Sequence, residues 1–217
     1  MRLMREPRPW QISVDQWNTE YDRMLWIRAA ERIQVPAGGV VPGPLDIDQL
    51  PPPSPGRTAD DGAELATGWL AWWHSIVAMR QWDAQRPPPL PPAFALSPPH
   101  FGGLAQWDSF RNVVLRRWRE ADAWSQARKE AGYRLFQQQL ERHRRPAVDL
   151  SRLVQRVEKE LGRRVAPFHL ELVVLPVLDD EIREAGEGRY LVPERVYESS
   201  RFVGWLRPLV IRLGTAR

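Results

Sequence analysis

Four histidines, at 74, 100, 143 and 169, are the side chains best suited to proton transfer or metal ligation near neutral pH, and they stand far apart in the chain. None belongs to a paired spacing such as His-Glu-x-x-His, which sets two imidazoles on one helix face. His169 and Glu171 share one face of a predicted strand, and the carboxylates of Asp179, Asp180, Glu181, Glu184 and Glu187 follow. Such a set could hold a divalent cation or move a proton, although runs of this kind more often cap a helix or solvate a loop. There is no Gly-x-Ser-x-Gly and no glycine-rich loop to cradle phosphate. With no cysteine, the chain has no thiolate, disulfide or cysteine-ligated zinc. The sequence therefore assigns no catalytic residue, no metal ligand and no cofactor. The reading it supports is a non-enzymatic interaction or assembly protein. An enzyme of an unfamiliar family, built on His169, Glu171 and the carboxylates of 179–187, is one alternative.

Tryptophan and proline are both abundant, 11 and 21 residues, and both crowd the region before residue 125. Trp17, Trp69, Trp72, Trp107, Trp118 and Trp124 recur at three- and four-residue steps with other apolar residues, which marks them as core. Trp118, central in the longest stripe, is expected to be buried. Trp10, Trp26, Trp73 and Trp82 fall off those stripes and are the candidates for a surface that meets a partner protein or a second copy. The tract Arg86-Pro87-Pro88-Pro89-Leu90-Pro91-Pro92 fits the Arg-x-x-Pro-x-x-Pro form taken up by polyproline readers, and equally serves as a stiff connector.

The net charge is only +4, and the high pI reflects a basic set that is almost entirely arginine. Counted by segment, the excess is confined to residues 104–165, which carry +7. Clustered arginine is what phosphate contacts require, so a nucleic-acid-binding accessory protein using Arg116, Arg117 and Arg119 is the other alternative. Against it, acids interleave at helical spacing: Arg116–Glu120, Glu130–Arg134, Glu141–Arg145 and Arg156–Glu160.

The elements that must position these residues are mostly helical. Ser13 with Gln16 has capping-box spacing and predicts a helix over 13–33. Others are predicted over 59–84, 104–144, 149–161 and 199–213, the third either breaking at Gly132 or projecting. Strands are expected at 168–174 and 189–192. The Pro- and Gly-rich stretches 34–57 and 86–103 read as connections outside the core. The expected architecture is mostly α: a Trp-rich helical bundle over 1–145 and a small C-terminal α+β portion over 146–217 with two short strands, the two portions either separate or sharing one core. The longest apolar run, Leu172–Leu178, contains Pro176 and falls well short of the ~20 residues of a membrane span. The stretch Met1–Pro7 carries charge and proline where a signal sequence needs apolar residues. A cytoplasmic protein with no membrane partner is expected.

Overall fold

A computed structural model describes residues 9–55, 61–79, 93–142 and 149–215. The fold is mixed α/β with helices dominating. The described elements are β1 (Trp10–Asp15), α1 (Thr19–Ala30), α2 (Asp61–Met79), α3 (Asp108–Glu141), α4 (Leu150–Leu161), β2 (Phe168–Leu175), β3 (Arg183–Gly186), β4 (Arg189–Pro193), α5 (Glu194–Tyr197) and α6 (Ser200–Thr215). Two short 3-10 turns, Ala93–Leu96 and Gly102–Leu104, lead into α3.

The strands form one sheet in the order β1-β2-β4-β3, with β1, β2 and β4 parallel and β3 antiparallel to β4. Leu170 and Leu172 of β2, with Tyr190 and Val192 of β4, pack against Leu153 and Val157 of α4 and Phe202, Leu206 and Val210 of α6. Val173, Leu175 and Leu191 point the other way, into a larger core built by α1, α2 and α3. A strand covered on both faces reads as a continuous apolar run rather than an alternation, which accounts for Leu172–Leu175.

The first predicted helix is corrected at its start. Residues 10–15 form a strand parallel to β2, and the Ser13 hydroxyl donates to the Leu170 carbonyl rather than capping a helix. Trp10, Ile12 and Val14 alternate with Gln11, Ser13 and Asp15, which is the strand period. The helix starts five residues later than the capping box implies, with the Asn18 side chain accepting from the amides of Glu20 and Tyr21. Because β1 lies at the edge of the same sheet as β2–β4, one sheet joins the segments before and after residue 145.

The expectation that 34–57 stays out of the core is also corrected. Its described part has almost no regular structure, yet Val35, Val41, Leu45 and Ser54 are buried. Three arginines hold it. Arg28, with little exposure, donates to the carbonyls of Val35 (2.7 Å), Pro42 (2.8 Å) and Gly43 (3.3 Å), and its guanidinium lies 4.9 Å from the Trp69 ring centre. Arg117 donates to Glu31 and to the Pro52 carbonyl, both at 2.5 Å, while Glu31 accepts from the Ser54 amide and hydroxyl. Arg183 reaches the Gly39 carbonyl and Asp179, and Asp179 accepts the Gly43 amide. Burial works against the Glu31 carboxylate, but the hydrogen bonds from Arg117 and Ser54 hold its pKa below the usual carboxylate range.

Candidate functional site

The third helix runs unbroken through Gly132. Its buried positions, Phe110, Val113, Val114, Arg117, Ala121, Ser125 and Gly132, follow helical spacing, and Trp118 is half-buried rather than central, its ring 4.9 Å from Phe101 and under the Arg23 guanidinium. Gly132 does not weaken the helix. It makes room, because a Cβ there would lie 2.1 Å from the Trp17 ring. Trp17 sits in a left-handed backbone conformation (φ 58°) between β1 and α1, and its ring also meets Tyr133 at 5.3 Å.

Beyond this seat every residue from 133 to 142 is exposed. Nine of these, 133–141, are helical, and at 1.5 Å each they project about 14 Å. The apolar side chains on this projection are uncovered: Tyr133 is 51% exposed, Leu135 60%, Phe136 47% and Leu140 58%. Tyr133, Phe136 and Leu140 stand at i, i+3 and i+7, one face of the helix. Leu135 lies well around from them. Grouped apolar exposure of this kind marks an interaction surface more often than scattered single residues do.

The base of the projection is an electrostatic clamp at the carboxyl ends of the parallel strands. Arg128 of α3 donates to Asp22 of α1 at 3.0 Å and to Glu194 of α5 at 2.7 Å. Asp22 is fully buried, and its second oxygen has no hydrogen-bond partner among the described residues. Burial pushes the Asp22 pKa up to about 6 against the pull of Arg128, and the charges of Glu194 and Asp15 push the same way. Beside the clamp, a cleft of about 290 Å³ is lined by Asp15–Glu20, Lys129 and Tyr133.

No family model, no curated protein and no solved structure matches the chain.

The sequence-predicted partner residues lie elsewhere. Trp73 and Trp26 are core, not surface. Trp73 is fully buried, stacks on Trp69 at 5.2 Å and donates its indole N–H to the Val40 carbonyl; Trp26 is 5% exposed in the same core. They fall off the α1 and α2 stripes because these helices are covered on more than one side, by α3 and by the strapped connection. Trp10 is partly buried at the start of β1, stacked on Phe168. Trp82 and the proline tract 86–92 lie outside the described residues.

The basic segment is divided as well. Arg116 and Arg119 are exposed on α3, whereas Arg117 between them is buried in its pair with Glu31 and Glu120. Helix α4, with Arg152, Arg156 and Lys159, packs on the opposite face of the sheet. Of the expected ion pairs, Glu130–Arg134 forms at 3.9 Å, Glu120 goes to Arg117, and Glu160 goes to Arg207. The pair Glu141–Arg145 has a member outside the described residues. Four carboxylates of the enzymatic alternative are engaged in structure: Glu171 accepts from Arg189 at 2.6 Å and Asp179 from Arg183 at 2.7 Å, while Glu181 pairs with Arg183 and Asp180 with Arg195 and Arg201. Among the described residues no three His, Asp or Glu side chains are grouped to hold a metal ion, and no helix is long and apolar enough to cross a membrane.

The projecting face was partly readable in advance. Tyr133, Phe136 and Leu140 repeat at helical spacing, but periodicity reports that a face is apolar without reporting whether anything covers it.

Proposed function

We propose that this chain is a non-enzymatic protein-interaction module whose docking element is the distal segment of α3, residues 133–141. The observation that carries the proposal is the uncovered stripe Tyr133–Phe136–Leu140 on an intact helix that stands clear of the core. An amphipathic helix presenting i, i+3 and i+7 anchors is a common form of docking element. The clamp and the Trp17–Gly132 seat fix the direction in which it points.

The test is affinity isolation with the intact chain, with Phe136→Ser plus Leu140→Ser, and with Arg116→Glu plus Arg119→Glu, each with and without nuclease. The proposal expects bound protein to be lost with the apolar pair, kept with the arginine pair, and indifferent to nuclease. Loss with the arginine pair and with nuclease would instead favour nucleic acid. That second reading is supported by the exposure of Arg116 and Arg119, which have no carboxylate partner among the described residues. It is weakened by the burial of Arg117 and by the division of the basic residues between two faces of the sheet.

A further inference from the structure

The end of α3 does not account for the basic residues of α4, which lie on the other side of the sheet. Arg152, Arg156 and Lys159 stand at i, i+4 and i+7, one face of α4. With Leu153 and with Val203 of α6 they line a groove of about 530 Å³. We propose that this groove binds an acidic segment of another protein, its carboxylates meeting the basic rim and an apolar side chain reaching Leu153 and Val203.

The groove holds a surplus of positive charge. All three cations are exposed, and among the described residues neither Arg156 nor Lys159 has a carboxylate partner. The two acids of α4 are turned elsewhere. Glu160, four residues on from Arg156, pairs with Arg207 of α6, and Glu158 accepts the Val165 amide. Of the lining residues only Asp149 is acidic, and it caps α4 and pairs with Arg152 at 3.2 Å. Like charges on successive turns destabilise a helix. Lys159 regains some of this in the last turn, where a cation suits the helix dipole, but Arg156 in the middle does not. The surplus is thus complementary to an anion, and Leu153 and Val203 to apolar surface carried with it.

The lining decides which anion. Sites for single-stranded nucleic acid combine cations with aromatic side chains on which bases stack. Among the described residues no aromatic side chain lines this groove. A duplex or an anionic bilayer is held by an extended basic surface, whereas this rim is one helix face bordered by the Glu160–Arg207 ion pair. Arginine matches the planar carboxylate, and arginine clusters read short acidic motifs. The chain has no spare motif of this kind. Its segments outside the described residues, 1–8, 56–60, 80–92, 143–148 and 216–217, each carry at least as many basic as acidic side chains. The occupant therefore comes from a different protein.

The test titrates the intact chain with labelled pools of short random-order peptides, rich in Asp and Glu around one Leu. Control pools carry Asn and Gln for the acids, or Ser for the Leu. Mixed-sequence RNA and DNA and phosphatidylserine vesicles are run beside them. The acidic pool should bind with a dissociation constant on the order of 100 µM or tighter, and both control pools more weakly by about tenfold. Arg156→Glu plus Lys159→Glu should weaken binding at least about tenfold, whereas Arg116→Glu plus Arg119→Glu on α3 should leave it unchanged. Both pairs are exposed, so the fold is kept, and circular dichroism checks this. On adding the tightest peptide, amide NMR signals of residues 152–159 and of Val203 should shift while those of 133–141 stay. Absence of binding, equal binding of a control pool, or equal loss with the two arginine-bearing pairs overturns the proposal. So does tighter binding of RNA, DNA or vesicles that the α4 variant abolishes, which would make phosphate the ligand. Self-association abolished by that variant would overturn it too, in favour of a second copy. None of these outcomes depends on Phe136 or Leu140, so the docking role of α3 is tested separately.

Discussion

Two regions of this molecule reverse what their sequences suggest. The connection from Glu31 to Pro55 is broken by proline and glycine, yet it lines the core. The distal part of α3, residues 133–141, is unbroken helix, yet nothing among the described residues covers it. The physical difference is in where the backbone hydrogen bonds go. A helix satisfies its own amides and carbonyls, so it can leave the body of the protein at little cost. An irregular segment cannot do this, and once Val35, Val41 and Leu45 are buried its carbonyls need donors from elsewhere. Arg28, Arg117 and Arg183 supply them, to Val35, Pro42, Gly43, Pro52 and Gly39. Of the three arginines that looked like a phosphate-binding surface, Arg117 is one of these internal straps.

The largest expected effect breaks a strap. Arg117→Ala leaves the fully buried Glu31 carboxylate without its cation, and removing one member of a buried pair costs about 3–5 kcal/mol. Chemical denaturation should show this, and a loss under ~1 kcal/mol would mean that the connection is not held as described. Next is the clamp at the base of the projection. The folded Asp22 pKa, about 6, lies above its ordinary value of 3.8, so the folded state binds the proton more tightly. The stability that this group contributes is present below about pH 4 and lost as pH rises through about 6. Asp22→Asn removes this titration while keeping an oxygen to accept from Arg128. The stability of the variant relative to the parent should therefore rise by about 2–3 kcal/mol between pH 4 and pH 7, and a constant difference would show that Asp22 does not titrate in that window.

A smaller effect is expected at the seat. Alanine favours helix over glycine by about 1 kcal/mol, but at 132 its Cβ would meet the Trp17 ring, and overpacking costs about 1–3 kcal/mol. Gly132→Ala should therefore destabilise slightly or come out neutral, and should turn clearly stabilising when Trp17 is also replaced by Ala. Additive effects in that double-mutant cycle would show that the ring does not press on Gly132. The smallest effect is on the projection itself. Phe136→Ser and Leu140→Ser should each change stability by no more than about 0.5 kcal/mol, as exposed positions do. A loss above ~2 kcal/mol would mean that these side chains are core after all.

The helices over 61–79, 108–141, 150–161 and 200–215 and the strands over 168–175 and 189–193 were legible because each has a clear period and a cap or breaker. The strand at Trp10–Asp15 has the alternation of a strand, but the capping pair Ser13–Gln16 and the apolar spacing from Val14 through Leu25 compete with it. Parallel pairing with a segment more than 150 residues away decides the outcome, and no local pattern reports that. The strand at Arg183–Gly186 has no readable period, because it is four residues long and half of it is charged. Trp26 and Trp73 were assigned to a surface on the assumption that each helix buries one stripe, whereas α1 and α2 are enclosed by α3, the sheet and the connection. At the candidate site, the identity of the apolar residues was visible and their exposure was not. Exposure depends on where α3 leaves the body, and that is fixed by Trp17, Gly132 and Arg128 together.

The contrast between the two regions is tested most directly by limited proteolysis with a protease of broad specificity, with the first cuts mapped by mass spectrometry. Of the two regions, residues 133–141 should be cut first, because this helix has only its own hydrogen bonds to hold it, while residues 34–55 should resist until the fold opens globally. First cleavage within 34–55, with 133–141 still intact, would contradict the account.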